Sequence, residues 1–279
     1  MSLDKEINDK IAVSIVLYKT ADAEVKSILD TLKASGVHKI ITVDNSPTNS
    51  LQALVESFNV NYIFTGRNIG YGAAHNIAIR KSLSDPEVKY HLVLNSDIFF
   101  EPDVLYKIFR FMESREDVGQ LIPKIIYPNG EIQYSVRLLP SPFDLILRRF
   151  FPENLFKMSR RRYLLADRDL NIEANIPYHQ GSFMFFRLDA LRKVGLFDER
   201  FFMYPEDIDI TRRVFQKFKT IYWPDVTIIH DHRAQSYKSL KMFWIHSKNM
   251  ILYFNKWGWI FDSERIRVNK KILRELGLK

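Results

Sequence analysis

Short apolar segments alternate with amphipathic ones along the first third of the chain, and this alternation limits the folds that the chain can adopt. Apolar runs typical of buried strands occupy residues 11–17, 39–43, 61–64 and 91–94. Between the first two runs, apolar residues recur at helical spacing, at Val25, Ile28, Leu29 and Leu32. Parallel strands need crossover connections of this kind. The pattern therefore predicts an α/β fold with helices on both faces of a mostly parallel sheet.

Polar residues lie at or shortly after the ends of these predicted strands. Tyr18, Asp44, Arg67 and Asp97 all occupy such positions. Because ligands bind beyond the carboxyl ends of parallel strands, we expect the four side chains to gather along one edge of the sheet. A carboxylate there can accept a hydrogen bond from a nucleobase or a ribose hydroxyl, and a tyrosine ring can stack on a base.

A loop that contains glycines, residues 66–72, leads into a predicted helix that runs through Ser84. A helix N-terminus is a natural anion site, and Gly70 and Gly72 allow a backbone to come close to a ligand. Arg67 could pair with a diphosphate in the same loop. The spacing matches neither a dinucleotide-binding fingerprint nor a P-loop, so the loop is a general candidate for nucleotide binding.

The second half of the chain has a different character. Residues 127–131 predict a hairpin turn, and residues 178–188 and 220–229 predict strands. Residues 140–176 are rich in arginine, and we interpret them as a helical or mobile insertion. We predict a single domain over residues 1–279, with a nucleotide-binding half at about 11–100, an acceptor and catalytic half at 101–235, and a C-terminal helical region at 236–279.

Composition excludes several classes of protein. With 279 residues, 46% apolar and 27% charged, the chain is long enough for a large core and has an ordinary globular composition. It contains no cysteine, which excludes disulfides and thiolate metal sites. No apolar run approaches the roughly 20 residues that cross a bilayer, and the N-terminus does not resemble a signal peptide. A cytoplasmic location is expected.

The net charge of +8 indicates attraction to polyanions. The sequence contains none of the patterns of recognised nucleic-acid modules, so we expect no nucleic-acid partner. A nucleoside diphosphate or an anionic membrane surface explains the charge equally well. An aromatic stripe at Leu240, Phe243, Trp244, Ile251 and Phe254 carries interspersed lysines. Core packing is the favoured interpretation of this stripe, and peripheral contact with the inner face of the cell membrane is the alternative.

Two carboxylate motifs indicate the chemistry. Asn95-Ser96-Asp97 follows a predicted buried strand, where a carboxylate can hold a hard divalent cation. Pro205-Glu206-Asp207-Ile208-Asp209 opens a predicted helix, where a carboxylate that faces a cleft can take a proton from a hydroxyl. A histidine after the strand-like run 227–229, either His230 or His232, could complete a metal site. Together these residues predict an enzyme that moves a group off a diphosphate.

The ordered set of motifs resembles the family-two glycosyltransferases of the GT-A fold, most closely their rhamnosyltransferase-like branch. The resemblance covers roughly residues 11–255. The segments that carry it are 13–18, 43–46, 68–76, 94–97, 181–184, 195–202 and 206–209, followed by His230. The fold that it implies is a Rossmann-like, mostly parallel sheet flanked by helices, with a C-terminal helical region on the acceptor side.

The resemblance implies an inverting, metal-dependent transfer of a sugar from a nucleotide-sugar donor, such as dTDP-rhamnose or a UDP-hexose. The acceptor would be a hydroxyl of a growing surface glycan or of its lipid carrier. Asp44 and Tyr18 would hold the nucleoside, and Asn95 replaces the first aspartate of the family's Asp-X-Asp. Asp97 would bind Mg²⁺ or Mn²⁺.

The same resemblance assigns the general base to Asp207, with Glu206 as the substitute. Two alternatives stay open from the sequence. One is a nucleotidyltransferase, which shares a similar sheet and a need for metal. The other is a non-catalytic homologue that binds a nucleotide or a glycan without turnover.

Overall fold

A central sheet of nine strands organises the residues described by the computed structural model, which are 7, 9–145, 156–231 and 240–278. A two-stranded sheet, β7 with β9, lies beside it. The strands are β1 (Ile11–Leu17), β2 (Lys39–Asp44), β3 (Asn61–Phe64), β4 (Tyr90–Leu94), β5 (Ile98–Phe99), β6 (Val118–Ile126), β7 (Val136–Arg137), β8 (Ala174–Asn175), β9 (Tyr178–His179), β10 (Phe183–Arg187) and β11 (Lys219–His230).

The helices cover both faces of the large sheet. They are α1 (Asp22–Ala34), α2 (Gln52–Ser57), α3 (Tyr71–Ser84), α4 (Val104–Glu113), α5 (Pro142–Leu145), α6 (Lys157–Tyr163), α7 (Leu188–Val194), α8 (Glu206–Phe215), α9 (Leu240–Trp257) and α10 (Ser263–Glu275). None of the described helices is long and apolar enough to cross a membrane.

The first four strands form the parallel half of the sheet, in the order β3-β2-β1-β4. Strand β1 is almost entirely buried, as expected for a parallel strand covered on both faces. The predicted stripe of α1 packs into the core on one face, while Ala74 and Ala78 of α3 pack on Ile41 and Val43 on the other. The predicted α/β architecture is confirmed.

The second half of the sheet is mixed. Strand β10 runs antiparallel between β4 and β6, and β6 pairs in parallel with β11. The short strand β5 pairs antiparallel with the end of β11, where Ile98 lies opposite His230. Because of this pairing, the segment that follows β4 lies beside β11 and not beside β4. Polar residues from distant parts of the sequence therefore meet at one edge of the sheet.

The single strand predicted over residues 178–188 was wrong. The chain forms two strands in different sheets, because β9 pairs with β7 whereas β10 stays in the large sheet. The break falls at Gly181, where an added Cβ would lie 3.3 Å from the Cβ of Asp207. A side chain at residue 181 would crowd the start of α8. Without one, the backbone of Gly181 lies close enough to that helix to donate a hydrogen bond to Asp207.

The aromatic stripe of α9 is only partly a core stripe. Phe254 is fully buried, as the favoured interpretation required, together with Met250 and Tyr253. Trp244 and Ile251 are instead 70% and 46% exposed, because the face of α9 that they share points to solvent. Of the predicted insertion at 140–176, the described residues contain α5, α6 and β8; residues 146–155 lie outside the described part, as does His232.

A buried arginine ties the C-terminal helices to α8. Arg212 is 1% exposed and makes a bidentate pair with Asp262, at 2.7 and 2.8 Å. A second carboxylate, Glu264, lies 2.7 Å from the same guanidinium, which also stacks 4.0 Å over the ring of Trp257. Since a buried charge is tolerated only when it is paired, this cluster fixes α10 and the end of α9 against α8.

Candidate active site

A cavity of about 780 Å³ opens at the carboxyl ends of the parallel strands. Its walls come from both halves of the sheet. The first half contributes Tyr18 after β1 and Asn95 after β4, and the second half contributes Gly181, Asp207 and His230. The volume is within the roughly 300–1,000 Å³ that small-molecule sites occupy.

Asp97 and His230 meet on one wall of this cavity. The pairing of β5 with β11 places them side by side, and the Asp231 N–H donates to the Asp97 carbonyl at 3.0 Å. Asp97 Oδ1 lies 3.2 Å from His230 Nε2, and His230 is 1% exposed. His230 Nδ1 lies 2.8 Å from Gln133 Oε1. A hydrogen bond to the second ring nitrogen is the usual way in which proteins orient a ligating histidine.

This pair is suited to a cation. In the tautomer that donates from Nδ1 to Gln133, the lone pair of Nε2 faces the carboxylate of Asp97, an arrangement that a positive ion would stabilise. Asp97 Oδ1 is buried and accepts no hydrogen bond from the described residues. Within those residues no group of three or more histidines and carboxylates could hold a metal, so substrate oxygens would have to complete the coordination.

Two adjacent acids, Glu206 and Asp207, begin α8 and line the same cavity. Asp207 Oδ2 accepts from the Gly181 N–H at 3.0 Å, and its Oδ1 accepts from the Ile208 N–H at 2.8 Å. Glu206 is 4% exposed, and its Oε2 has no hydrogen-bond partner in the described part of the chain. Burial raises the pKa of Asp207 to about 7. Burial also raises the pKa of Glu206, and the neighbouring charge of Asp207 raises it further.

A carboxylate with these properties can exchange a proton near neutral pH. Its two backbone hydrogen bonds fix its direction, and the helix N-terminus favours its charged form. An acid whose pKa is close to the working pH is the type of group that enzymes use as a general base.

Asp44, Arg67 and Tyr18 occupy different places around the cavity. Asp44 is fully buried below it and accepts from the Tyr62 hydroxyl at 2.6 Å and the Ser46 N–H at 2.8 Å. Arg67 is exposed and does not line the cavity. Tyr18 lies at the rim, half-exposed. The expected common edge exists, but of the four residues that define it only Tyr18 and Asp97 face the cavity.

Gly70 and Gly72 are required because other parts of the chain pack too closely against them to leave room for a side chain. Gly70 has a φ of +98°, and an added Cβ would lie 2.6 Å from the carbonyl oxygen of Phe202. At Gly72, an added Cβ would lie 2.9 Å from Phe197 Cβ. The two glycines therefore let the start of α3 pack closely against the segment that precedes α8. This packing places α3 directly beside the two acids.

Asn95 and Tyr71 connect the two walls. The Tyr71 hydroxyl lies 2.7 Å from the Gly181 carbonyl and 3.0 Å from Asn95 Oδ1. The Asn95 N–H donates to the Ser182 carbonyl at 2.9 Å. Asn95 thus lines the cavity and also holds the turn that carries Asp97, while its predicted contact with a nucleotide stays a prediction.

Sequence reasoning missed several residues that line the cavity, among them Tyr71, Gln133, Arg137 and Arg160. Tyr71 lies inside the segment 68–76 that the resemblance covers, so its position was available. Nothing in the sequence marked Gln133 or Arg137, whereas Arg160 belongs to the arginine-rich segment 140–176, which no motif assigned to a site. Gln133 lies in an irregular segment, Arg137 in the two-residue strand β7 and Arg160 in the short helix α6, and all three reach the cavity only through tertiary contacts.

The fold and the site together define a class of transferase, and comparison with known proteins identifies the family. The chain matches Glycosyl transferase family 2 over residues 15–195. It therefore belongs to glycosyltransferase family 2. A relative from Mycobacterium tuberculosis, N-acetylglucosaminyl-diphospho-decaprenol L-rhamnosyltransferase, is 30% identical over 71% of this chain and 67% of its own length. Rhamnosyltransferase WbbL of Escherichia coli K12 is 27% identical over 82% of this chain and 87% of its own length.

Solved structures show that the fold is the GT-A glycosyltransferase fold. A mannosyltransferase from Pyrobaculum calidifontis, solved in complex with GDP-Man and Mn²⁺, superposes with a TM-score of 0.57 at 12% identity. The match covers 97% of this chain and 75% of that one. The chain spans as little as 43% of the length of other solved structures that it matches.

Replacing Asp207 by Asn should stabilise the fold at high pH. The unfolded chain releases this proton near a pKa of about 4 and the folded chain only near 7, so the native carboxyl makes folding less favourable as the pH rises between these values. We expect Asp207→Asn to raise the free energy of unfolding by about 1–2 kcal/mol at pH 8, and by less at pH 5. Urea unfolding at both pH values measures this difference. Asp225→Asn, on the exposed side of β11, is the matched control, and a loss of stability at pH 8 would contradict the assignment.

Proposed function

We propose that this glycosyltransferase moves a rhamnosyl or hexosyl group from a nucleotide-sugar donor to a hydroxyl of a glycan or lipid-linked acceptor, with inversion at the anomeric carbon. The observation that carries the proposal is the presence, in one cavity, of an acid–histidine pair that suits a cation and a partly buried acid whose pKa is raised toward neutrality. dTDP-rhamnose and the UDP-hexoses are the donors that we would test first.

The donor would occupy the side of the cavity formed by the first half of the sheet. Tyr18 offers a half-exposed ring on which a nucleobase can stack. Asp44 would act indirectly, because it binds the Ser46 N–H while the Ser46 hydroxyl accepts from the Lys19 N–H at 2.8 Å. This chain holds Lys19, which has a φ of +54°, at the rim of the cavity beside Tyr18.

Asp97 and His230 would hold a divalent cation together with the donor diphosphate. The ion, when bound, would neutralise the charge that develops on the leaving diphosphate. Because one of the two protein donors is an imidazole, the site suits Mn²⁺ better than Mg²⁺. The solved mannosyltransferase, which contains Mn²⁺, supports this proposal.

Asp207 would be the general base. The acceptor oxygen forms a bond with the anomeric carbon, the bond from that carbon to the diphosphate oxygen breaks, and the hydroxyl proton passes to Asp207. Glu206 is the substitute, but its greater burial and its lack of a hydrogen-bond partner in the described chain favour the protonated form. The Gly181 N–H would keep the Asp207 carboxylate directed at the acceptor.

The exposed face of α9 and the loop that follows it would contact the inner face of the cell membrane. Phe261 and Ile260 are 94% and 72% exposed, and they directly precede α10, which has a basic face. That face carries Arg267, Lys270, Lys271 and Arg274. Exposed apolar side chains beside cations are the chemistry with which helices lie on anionic bilayers.

Calorimetric titration tests the metal site. We expect UDP or dTDP to bind wild-type protein more tightly with Mn²⁺ than without it. In Asp97→Asn and in His230→Gln, the enhancement by Mn²⁺ should fall at least about tenfold, since each variant removes one of two protein ligands. Asp225→Asn is again the control. Equal enhancement in the variants would remove both residues from the metal site.

Radiolabelled sugar transfer tests the base. Asp207→Asn should lower kcat by about 10²–10⁴-fold while nucleotide affinity stays within twofold, because the carboxylate acts on the acceptor and not on the donor. In the wild type, kcat should rise with pH through a pKa near 7. If Glu206→Gln lost turnover and Asp207→Asn kept it, the roles of the two acids would be reversed.

Vesicle sedimentation tests the membrane contact. Wild-type protein should bind vesicles that contain phosphatidylglycerol, and the double variant Ile260→Ser/Phe261→Ser should bind them about 10- to 100-fold more weakly. Met158→Ser is the matched control, because Met158 is an apolar side chain that is 85% exposed on a different helix, α6. Unchanged binding by the double variant would exclude the surface.

A further inference from the structure

The cavity has a basic wall that neither the metal pair nor the general base uses. Arg137 of β7 and Arg160 of α6 both line it, together with Tyr134 and Gln180. Both arginines are half-buried. Cationic side chains at such depth are costly to keep unless an anion or strong hydrogen bonds compensate them.

Arg137 donates its hydrogen bonds to neutral groups in the described structure, and the charge of Asp207 stabilises the cation from further away. Its Nε donates to the Tyr134 carbonyl at 3.2 Å and its Nη1 to the Tyr178 hydroxyl at 3.4 Å, with the guanidinium carbon 5.4 Å from the centre of the Tyr178 ring. Among the described residues, no carboxylate lies within 4.0 Å of it. A guanidinium carries five N–H donors, so these contacts leave donors available to a ligand in the cavity.

The position of Arg137 assigns this wall to the acceptor. Arg137 lies opposite Tyr178 in the β7–β9 pair, and β9 leads directly to Gly181, whose N–H binds Asp207. Asp207 is also close enough for its charge to stabilise the Arg137 cation. An acceptor hydroxyl must come within hydrogen-bond reach of the base, so a group attached to the acceptor sugar would lie beside this arginine.

The chemistry of a guanidinium limits what it would bind there. Arginine binds phosphate through two parallel hydrogen bonds, and a pair of arginines suits a diphosphate. The donor diphosphate is already assigned to Asp97 and His230. A second anion-binding group in the same cavity therefore calls for a second anionic substrate.

We propose that Arg137 and Arg160 form a subsite for a phosphate or diphosphate on the acceptor, next to the sugar that receives the transferred group. The proposal rests on the proposed function, since it assumes that Asp207 faces the acceptor. The subsite makes an acceptor linked to its lipid through a diphosphate a better substrate than a neutral glycoside. The mycobacterial relative, by its name, acts on a diphosphate-linked acceptor.

The test compares two acceptors that carry the same sugar. One is N-acetylglucosamine linked through diphosphate to a farnesyl chain, and the other is octyl N-acetylglucosaminide. For Arg137→Gln and Arg160→Gln, we expect the ratio of kcat/KM for the diphosphate acceptor over that for the glycoside to fall about 10- to 100-fold. Arg137→Lys should recover part of the ratio, because it keeps the charge but loses the two-pronged geometry. Arg162→Gln, exposed on the same helix as Arg160 and absent from the cavity wall, should leave the ratio unchanged.

Other outcomes would overturn the inference. A fall in kcat/KM that is equal for both acceptors would mean that Arg137 acts only on Asp207 or on folding. A rise in the KM of the nucleotide sugar alone would place both arginines on the donor diphosphate.

A binding measurement separates this inference from the proposed function. The farnesyl diphosphate sugar is titrated into wild-type and Arg137→Gln protein saturated with UDP and Mn²⁺. Weaker binding in the variant supports the subsite even if no transfer is detected. Equal binding in the two proteins, or no binding to the wild type, refutes the subsite, whereas failure of UDP itself to bind refutes the proposed donor.

Discussion

The break in the chain at Gly181 and Ser182 is the point on which the site depends. Three polar contacts converge there: the Gly181 N–H donates to Asp207, its carbonyl accepts from Tyr71, and the Ser182 carbonyl accepts from the Asn95 N–H. These partners come from α8, α3 and the turn after β4, so one dipeptide connects both carboxylate motifs. A continuous strand would have paired these backbone groups within a sheet. The bend removes them from the ladder and makes them available to the site.

Keeping Glu206 buried and Asp207 partly buried is unfavourable, and contacts at the other end of the same helix hold that helix in place. Arg212 lies at 1% exposure and is held by Asp262 and Glu264, which anchors α10 and the end of α9 to α8. Buried, paired charges of this kind fix geometry more than they add stability. The α8 helix is thus held at its C-terminal half, and its N-terminus can carry two acids whose pKa values are raised.

The sequence was sufficient to predict what depends on local pattern. Hydrophobic periodicity and chain order predict the four parallel strands and the apolar stripe of α1, and the structure confirms both. The two carboxylate motifs are found in the same way, from their positions after a predicted strand and at the start of a predicted helix. The role of Asp44 could not be judged in this way, because the direction of its side chain depends on Tyr62, which the pairing of β2 with β3 brings beside it. Arg137 was unpredictable for a stronger reason: its place in the cavity depends on pairing with Tyr178, 41 residues away, across an insertion without clear periodicity.

Under the proposed function, one cavity would need two different cationic elements. A glycosyl transfer in which both substrates carry phosphates must bring two anions close to each other, and their repulsion opposes binding unless each is compensated separately. A metal held by Asp97 and His230 would compensate the diphosphate that leaves. The same metal would not neutralise the phosphate of the acceptor. That phosphate stays bonded to the acceptor sugar throughout and would lie on the side of the cavity where the base is. Fixed guanidinium groups suit that second task, because they bind phosphate without competing for the metal and, close to Asp207, favour the charged form that accepts the proton.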